Sequence, residues 1–124
     1  GDDLFALGCG RVFGEDYDGM WRTLSRIAAL PPDTALYFGH EYTLANAAFA
    51  LAVDPDNAAL KAAVVRHEAA RAAGKATSPT SVSEECAANP FLRATDPALA
   101  ARLGLANQPA AAVFRHLRER KNRF

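Results

Sequence analysis

The stretch LPPDTALYFGHEYT, residues 30–43, divides this chain into two characters. Pro31, Pro32 and Asp33 stop a preceding helix and turn the chain. Residues 35–38, ALYF, form a short apolar run between breakers and read as a buried-looking strand. GHEYT follows at once and sets one of only three histidines on a polar corner. Beyond it the pattern is helical to the end.

Upstream, residues 3–7, DLFAL, read as another short strand, with GCG after it as flexible backbone and 11–17 as loop. Asp16 or Asp18 can cap a helix running to about Leu30, with Met20, Trp21, Leu24, Ile27 and Ala28 on one face. Downstream, one helix covers roughly 43–52 and stops before Asp54-Pro55. The next covers roughly 57–73, with Asn57 as cap, Gly74 as stop, and Leu60, Val64 and the Arg71 stem on one face. Residues 77–80 read as loop. Ser81-Val82-Ser83-Glu84 fits a capping box before a short helix. Asp96-Pro97 opens a helix ending at Gly104, and Pro109 opens the last one. There is no internal repeat and no low-complexity linker. The expected class is α+β, with a strand-helix-strand piece over 1–41 and a helical unit over 42–124. Two short strands do not make a stable sheet alone. The sequence also opens abruptly on a strand-like stretch with no initiator Met. Further chain is therefore expected upstream, removed by design or by proteolysis.

Half of the 124 residues are apolar, enough for a real core. Formal net charge is zero, which argues against a dedicated nucleic-acid binder. The zero hides an asymmetry. Asp2, Asp3, Glu15, Asp16 and Asp18 lie near the start, whereas Arg115, Arg118, Arg120, Lys121 and Arg123 crowd the end. Two cysteines, Cys9 and Cys86, are too few for a disulfide framework and suit a reducing compartment. No apolar run reaches membrane-spanning length and no signal peptide is visible, so no membrane partner and a cytoplasmic location are expected.

Asp2 lies just before one strand and His40 just after the other. Side chains at strand ends are held by the sheet yet reach open space, which suits ligands for zinc, iron or manganese. Two ligands are not a site, and spacing alone favours a hydrogen-bonding role for His40. His67 and His116 read as ordinary helix-surface residues. Tyr42 points the same way as His40 if the segment is extended. Arg11, in a glycine-rich loop, either faces solvent or reaches an anion. Arg118 and Lys121, three apart, share a helix face, as a solvated end or an anion site. Cys9 reads as structural rather than nucleophilic.

Five stretches taken together carry a resemblance: GDDLFALGCGR, LPPDTALYFGHEYT, ANAAFALAVDPDNAAL, PTSVSEECAANPFLR and RERKNRF. In that order they resemble the C-terminal half of the hydroxyacylglutathione hydrolase (glyoxalase II) family, over nearly the whole chain. The resemblance implies the last part of an αββα metallo-β-lactamase-like catalytic domain, over 1–41, followed by a helical substrate-binding domain. The family's Thr-His-x-His-x-Asp-His signature belongs upstream and is absent here. The implied reaction converts S-D-lactoylglutathione to D-lactate and glutathione through metal-bound hydroxide. The implied cofactors are two divalent metal ions, zinc foremost, with Asp2 bridging them and His40 ligating one. No protein nucleophile is implied. Tyr42, Arg11 and the pair Arg118 and Lys121 are the implied contacts to glutathione, whose carboxylates suit arginine forks and lysine charge. Phe13 stands where the family often has a tyrosine, keeping the ring and losing a hydrogen bond. The implied partner is the missing N-terminal half, without which this chain is expected to be inactive, to hold no metal, and to self-associate through exposed strands. The competing readings are a related (thio)esterase and a non-catalytic helical binding module gripping an acidic partner.

Overall fold

The computed structural model of the chain describes residues 3–124, so the expected ligand Asp2 lies outside the described residues. The chain starts with β1 (Leu4–Phe5) and β2 (Gly8–Cys9), an antiparallel hairpin with Leu4 opposite Cys9 and Phe5 opposite Gly8. This corrects the expected single strand over 3–7 and the flexible glycine segment after it. The chain reverses at Ala6 and Leu7, and Gly8 and Cys9 are the returning strand. The reversal holds Leu7 at φ 61°, a region that L residues seldom adopt. Burial stabilises it there: Leu7 is fully enclosed and packs with Ala47, Ala50, Leu60 and Ala63.

So short a hairpin leaves many of its own backbone groups without strand partners, and buried polar groups must be bonded. Side chains from the helical part supply the bonds. The Glu85 carboxyl accepts the Leu7 N–H at 2.9 Å. Asn89 donates to the carbonyls of Phe5 and Gly8 at 3.2 and 3.0 Å. Asn46 donates to the Ala6 carbonyl at 3.2 Å. Gly8 has to be glycine for packing, because a Cβ there would lie 2.5 Å from the Asn46 side chain.

α1 (Tyr17–Ala28) is capped by Asp16, which accepts the Gly19 N–H at 3.0 Å. Its expected apolar face is confirmed: Leu24 is fully buried, and Met20, Trp21, Ile27 and Ala28 pack on the core. β3 (Ala35–Leu36) pairs antiparallel with β4 (Thr80–Ser81). Two expectations change here. The strand over 35–38 is shorter and is not buried, with Ala35 exposed and Tyr37 70% exposed. The expected loop over 77–80 ends in a strand. The two strands read from the sequence thus do not pair with each other, and each finds a partner within this chain.

α2 (Thr43–Val53), α3 (Ala58–Ala72), α4 (Val82–Ala88), a 3-10 turn at Leu92–Thr95, α5 (Pro97–Arg102) and α6 (Ala110–Asn122) complete the chain. Their ends are local chemistry. Asn57 caps α3 and Asp96 caps α5, with Pro97 in its first turn. Ser81 and Glu84 form the reciprocal capping box of α4. Gly74 and Gly104 take the positive φ that ends α3 and α5. α2 packs on α3, α3 on α4, and α1 on both α4 and α6.

The larger core cluster centres on Phe49, Phe91, Phe114 and Leu117, all fully buried. Arg93 ties the turn between α4 and α5 to Asp54 and to Asp96, the latter at 2.5 Å. His67 is not on the surface as expected. It is buried, 7% exposed, and that burial, reinforced by the Arg66 charge, pushes its pKa down. The Arg71 stem is exposed, unlike Leu60 and Val64 on the same helix. The described chain is α+β and mostly helical. Among the described residues no helix is long and apolar enough to cross a membrane.

Candidate substrate cleft

A cleft of about 850 Å³ opens where the hairpin meets α1, α2 and α6. The segment after β2 contributes Arg11 and Phe13, the corner before α2 contributes His40 and Tyr42, and α6 contributes Arg118 and Lys121. These are all the candidate residues of the sequence that fall within the described chain. Folding brings them together from three segments.

The His40 and Tyr42 rings stack in parallel, with centroids 5.0 Å apart and an interplanar angle of 1°. Both meet the Phe5 ring edge-on, at 6.0 and 5.0 Å. The same-side orientation expected of an extended segment is therefore what the backbone delivers. Glu41 bonds to a different part of the chain: its carboxylate accepts the Thr77 N–H at 3.2 Å and the Thr77 hydroxyl at 2.5 Å. Burial pushes its pKa up, but the bonds from Thr77 and Thr43 prevail and hold it below the ordinary glutamate value. Glu41 thus anchors the corner while its neighbours face the cleft.

Arg118 is not the solvated helix-end residue that its position suggested. It is 3% exposed. One terminal nitrogen donates to the carbonyls of Cys9 and Gly10, at 2.7 and 3.3 Å. Its Nε and other terminal nitrogen both donate to Asn122 Oδ1, at 3.2 and 3.0 Å. The guanidinium also lies 5.5 Å from the centre of the Phe91 ring. Lys121, one turn on, is half-buried. That burial, together with the charges of Arg118 and Arg11, lowers its pKa below the ordinary lysine value. Arg11 is exposed on the cleft wall, as is Phe13, at 86%. Cys9 is buried, and burial pushes its thiol up to about 11, against the lowering effect of Arg118. A thiol so hard to ionise is a poor nucleophile, in keeping with the structural role read from the sequence.

Among the described residues no three His, Cys, Asp or Glu side chains converge to hold a metal ion. The described residues offer His40 at the cleft and do not by themselves complete a metal centre. Sequence reading missed Asn46, which lines the cleft, and Glu85 and Asn89, which hold its hairpin wall from behind. The only hint was Asn89 at the head of the NPFLR stretch, which is fully buried with its side-chain amide bonded to backbone and to Glu85.

Chemically, the cleft joins a cationic wall (Arg11, Lys121 and the buried Arg118) to an aromatic one (Phe5, His40 and Tyr42). That combination suits an extended anion carrying an apolar portion. The chain is 55% identical to a hydroxyacylglutathione hydrolase of Rhizobium meliloti (strain 1021), over 99% of this chain and 48% of that protein. It is 55% identical to one of Methylobacterium sp. (strain 4-46), over all of this chain and 49% of that protein. A third, from Maricaulis maris (strain MCS10), is 52% identical over all of this chain and 48% of its own length. The chain thus spans about half the length of the curated relatives it matches. Residues 41–124 match the family described as hydroxyacylglutathione hydrolase C-terminus, and the chain belongs to that family.

Proposed function

We propose that this chain forms the glutathione-binding wall of a thioester hydrolase that converts S-2-hydroxyacylglutathione, such as S-D-lactoylglutathione, to a 2-hydroxy acid and glutathione. The observation that supports it is the cleft itself, which gathers Arg11, Tyr42, Arg118 and Lys121 from opposite ends of the sequence. The name shared by the relatives points the same way. Glutathione carries two carboxylates on an extended tripeptide. Arg11, Arg118 and Lys121 are the cations that line the cleft, and charge-assisted hydrogen bonds to carboxylates are the strong ones. Tyr42, stacked on His40, gives the peptide a flat face to lie against. Phe13 offers a ring at the rim with no hydroxyl.

In the reaction, water adds to the thioester carbonyl carbon, the carbon–sulfur bond breaks, and the sulfur leaves as the glutathione thiolate, which takes up a proton. This chain's residues bind and orient the leaving half. Activation of the water belongs to the intact protein, in which two divalent metal ions, zinc foremost and iron or manganese otherwise, are the proposed cofactors. Asp2 and His40 are the residues this chain would offer them. A metallo-β-lactamase-like catalytic domain, of which residues 1–41 are the last part, and a cytoplasmic location complete the proposal.

The test is hydrolysis of S-D-lactoylglutathione with added zinc, by this chain and by the longer protein that contains it. Hydrolysis by the longer protein alone is the expected result. Hydrolysis by this chain would refute the assignment of water activation upstream. No hydrolysis by either, with glutathione still bound, would favour a binding module.

A further inference from the structure

Residues 77–83 run antiparallel to the chain from Pro32 to Thr43, well past the two residue pairs of β3 and β4. At one end the Ser83 N–H donates to the Pro32 carbonyl at 2.9 Å, and the Val82 N–H to the Thr34 carbonyl at 3.0 Å. The strands then pair Ser81 with Ala35 and Thr80 with Leu36. Beyond them, side chains continue the contact. Ser78 Oγ accepts the Phe38 N–H at 3.2 Å. Thr77 gives its N–H and its hydroxyl proton to the Glu41 carboxylate, at 3.2 and 2.5 Å. The Thr77 and Thr43 hydroxyls lie 2.5 Å apart. A hydroxyl has one proton. Thr77 spends its own on Glu41, so Thr43 donates to Thr77. Thr77 therefore grips the residue before Tyr42 and the residue after it.

The grip falls where local capping is missing. α1, α3, α4 and α5 each begin on a residue whose side chain accepts a bond from the first turn. α2 begins on Tyr42, whose side chain makes no capping bond. Its ring faces the cleft instead, stacked on His40. The start of α2, and with it the direction of Tyr42, is set from outside the helix. Glu41, Thr43 and Thr77 are not among the residues that line the cleft. What they do for a ligand there, they do through their neighbours.

We propose that Thr77 is a positioning residue: through Glu41 and Thr43 it fixes both flanks of Tyr42 and so sets the aromatic wall against which the ligand lies. This rests on the reading of the cleft as a glutathione site.

The experiment is a double-mutant cycle in the longer protein that contains this chain, with glutathione affinity measured by calorimetry. Thr77→Val and Tyr42→Ala are made singly and together, and Thr77→Ser tests rescue by a retained hydroxyl. Thr77→Val is expected to weaken binding about fivefold in the native background, and by less than about twofold once Tyr42 is already alanine. Thr77→Ser is expected to stay within about twofold of the native protein. Native affinity in Thr77→Val, with only a lower thermal midpoint, would show a purely structural role and overturn the proposal. Equal weakening in both backgrounds would overturn it too, since Thr77 would then act by a route other than Tyr42. If Thr77→Val does not fold, Glu41→Ala takes its place in the cycle, because Glu41 is exposed and accepts two of the Thr77 bonds. No glutathione binding by the native longer protein would instead sink the reading of the cleft, and the proposal with it.

Discussion

Lys121 lies half-buried in a wall that already carries two arginines, so its proton is held less tightly than on a free lysine. Only the protonated amine attracts a carboxylate. Glutathione affinity should therefore fall as pH rises through the lowered Lys121 pKa, sooner than an ordinary lysine would allow. Lys121→Arg keeps its charge at any accessible pH and should retain affinity there. Calorimetric titrations of both proteins across the alkaline range check this, and parallel pH profiles would refute it. Glu85 is the opposite case. Burial pushes its pKa up, against the bonds from Leu7 and Asn89. With a raised folded pKa, the stability tied to the protonated form is fully present below the ordinary glutamate value. It is lost as pH rises through the folded value. Glu85→Gln keeps an acceptor for the Leu7 N–H and removes the titration. Urea unfolding should show native stability declining across that window while the variant stays level. Equal slopes would count against the assignment.

Among elements, the hairpin of β1 and β2 depends most on its neighbours. It has two residue pairs of its own, and its turn residues and carbonyls are bonded by Glu85, Asn89, Asn46 and Arg118. The hairpin and the helices should therefore unfold together. Gly8→Ala is the sharpest probe. The new Cβ meets Asn46 at 2.5 Å, and Asn46 cannot swing away without releasing the Ala6 carbonyl. A loss of about 1–3 kcal/mol is expected, in the range of overpacked cores. A denaturant midpoint within error of the native one would show that Asn46 has room to yield. α3 makes a useful contrast. Asn57 and Gly74 set its ends by bonds and backbone geometry within a few residues, and both ends fall where the sequence placed them.

For the whole molecule, Phe91 is the hub. It is fully buried and stacks on Phe49 of α2 at 5.8 Å. It meets Phe114 of α6 edge-on at 6.0 Å and carries the Arg118 guanidinium on its ring. Core and cleft wall thus share one side chain. Phe91→Ala should cost about 3–5 kcal/mol, a large part of the 5–15 kcal/mol or so typical of a domain. It should also loosen glutathione binding through Arg118. Thermal unfolding and calorimetry on the same variant test the coupling. A destabilised protein with native affinity would show that the cleft wall is held independently of the core.

Helix limits were legible in the sequence because their causes are local. Asp16, Asn57, the Ser81–Glu84 box, Asp96 with Pro97, and the glycines at 74 and 104 act within one turn of chain. The apolar face of α1 was legible for the same reason, since a helix repeats every few residues whatever it packs against. The roles of the candidate residues came from a resemblance spread along the chain, since residue type and spacing alone fitted a solvent-facing Arg11 and a solvated helix end for Arg118 and Lys121. What the sequence did not determine was pairing and burial. β1 joins β2 instead of β3, β3 joins β4 forty-five residues on, and His67, Glu85 and Arg118 lie inside. The bonds that decide this run from Leu7 to Glu85 and from Cys9 to Arg118, across separations of 78 and 109 residues. No local preference reaches that far. Only the packed helices bring those groups within hydrogen-bond distance, and once water is excluded each buried polar group must take the partner that the packing presents.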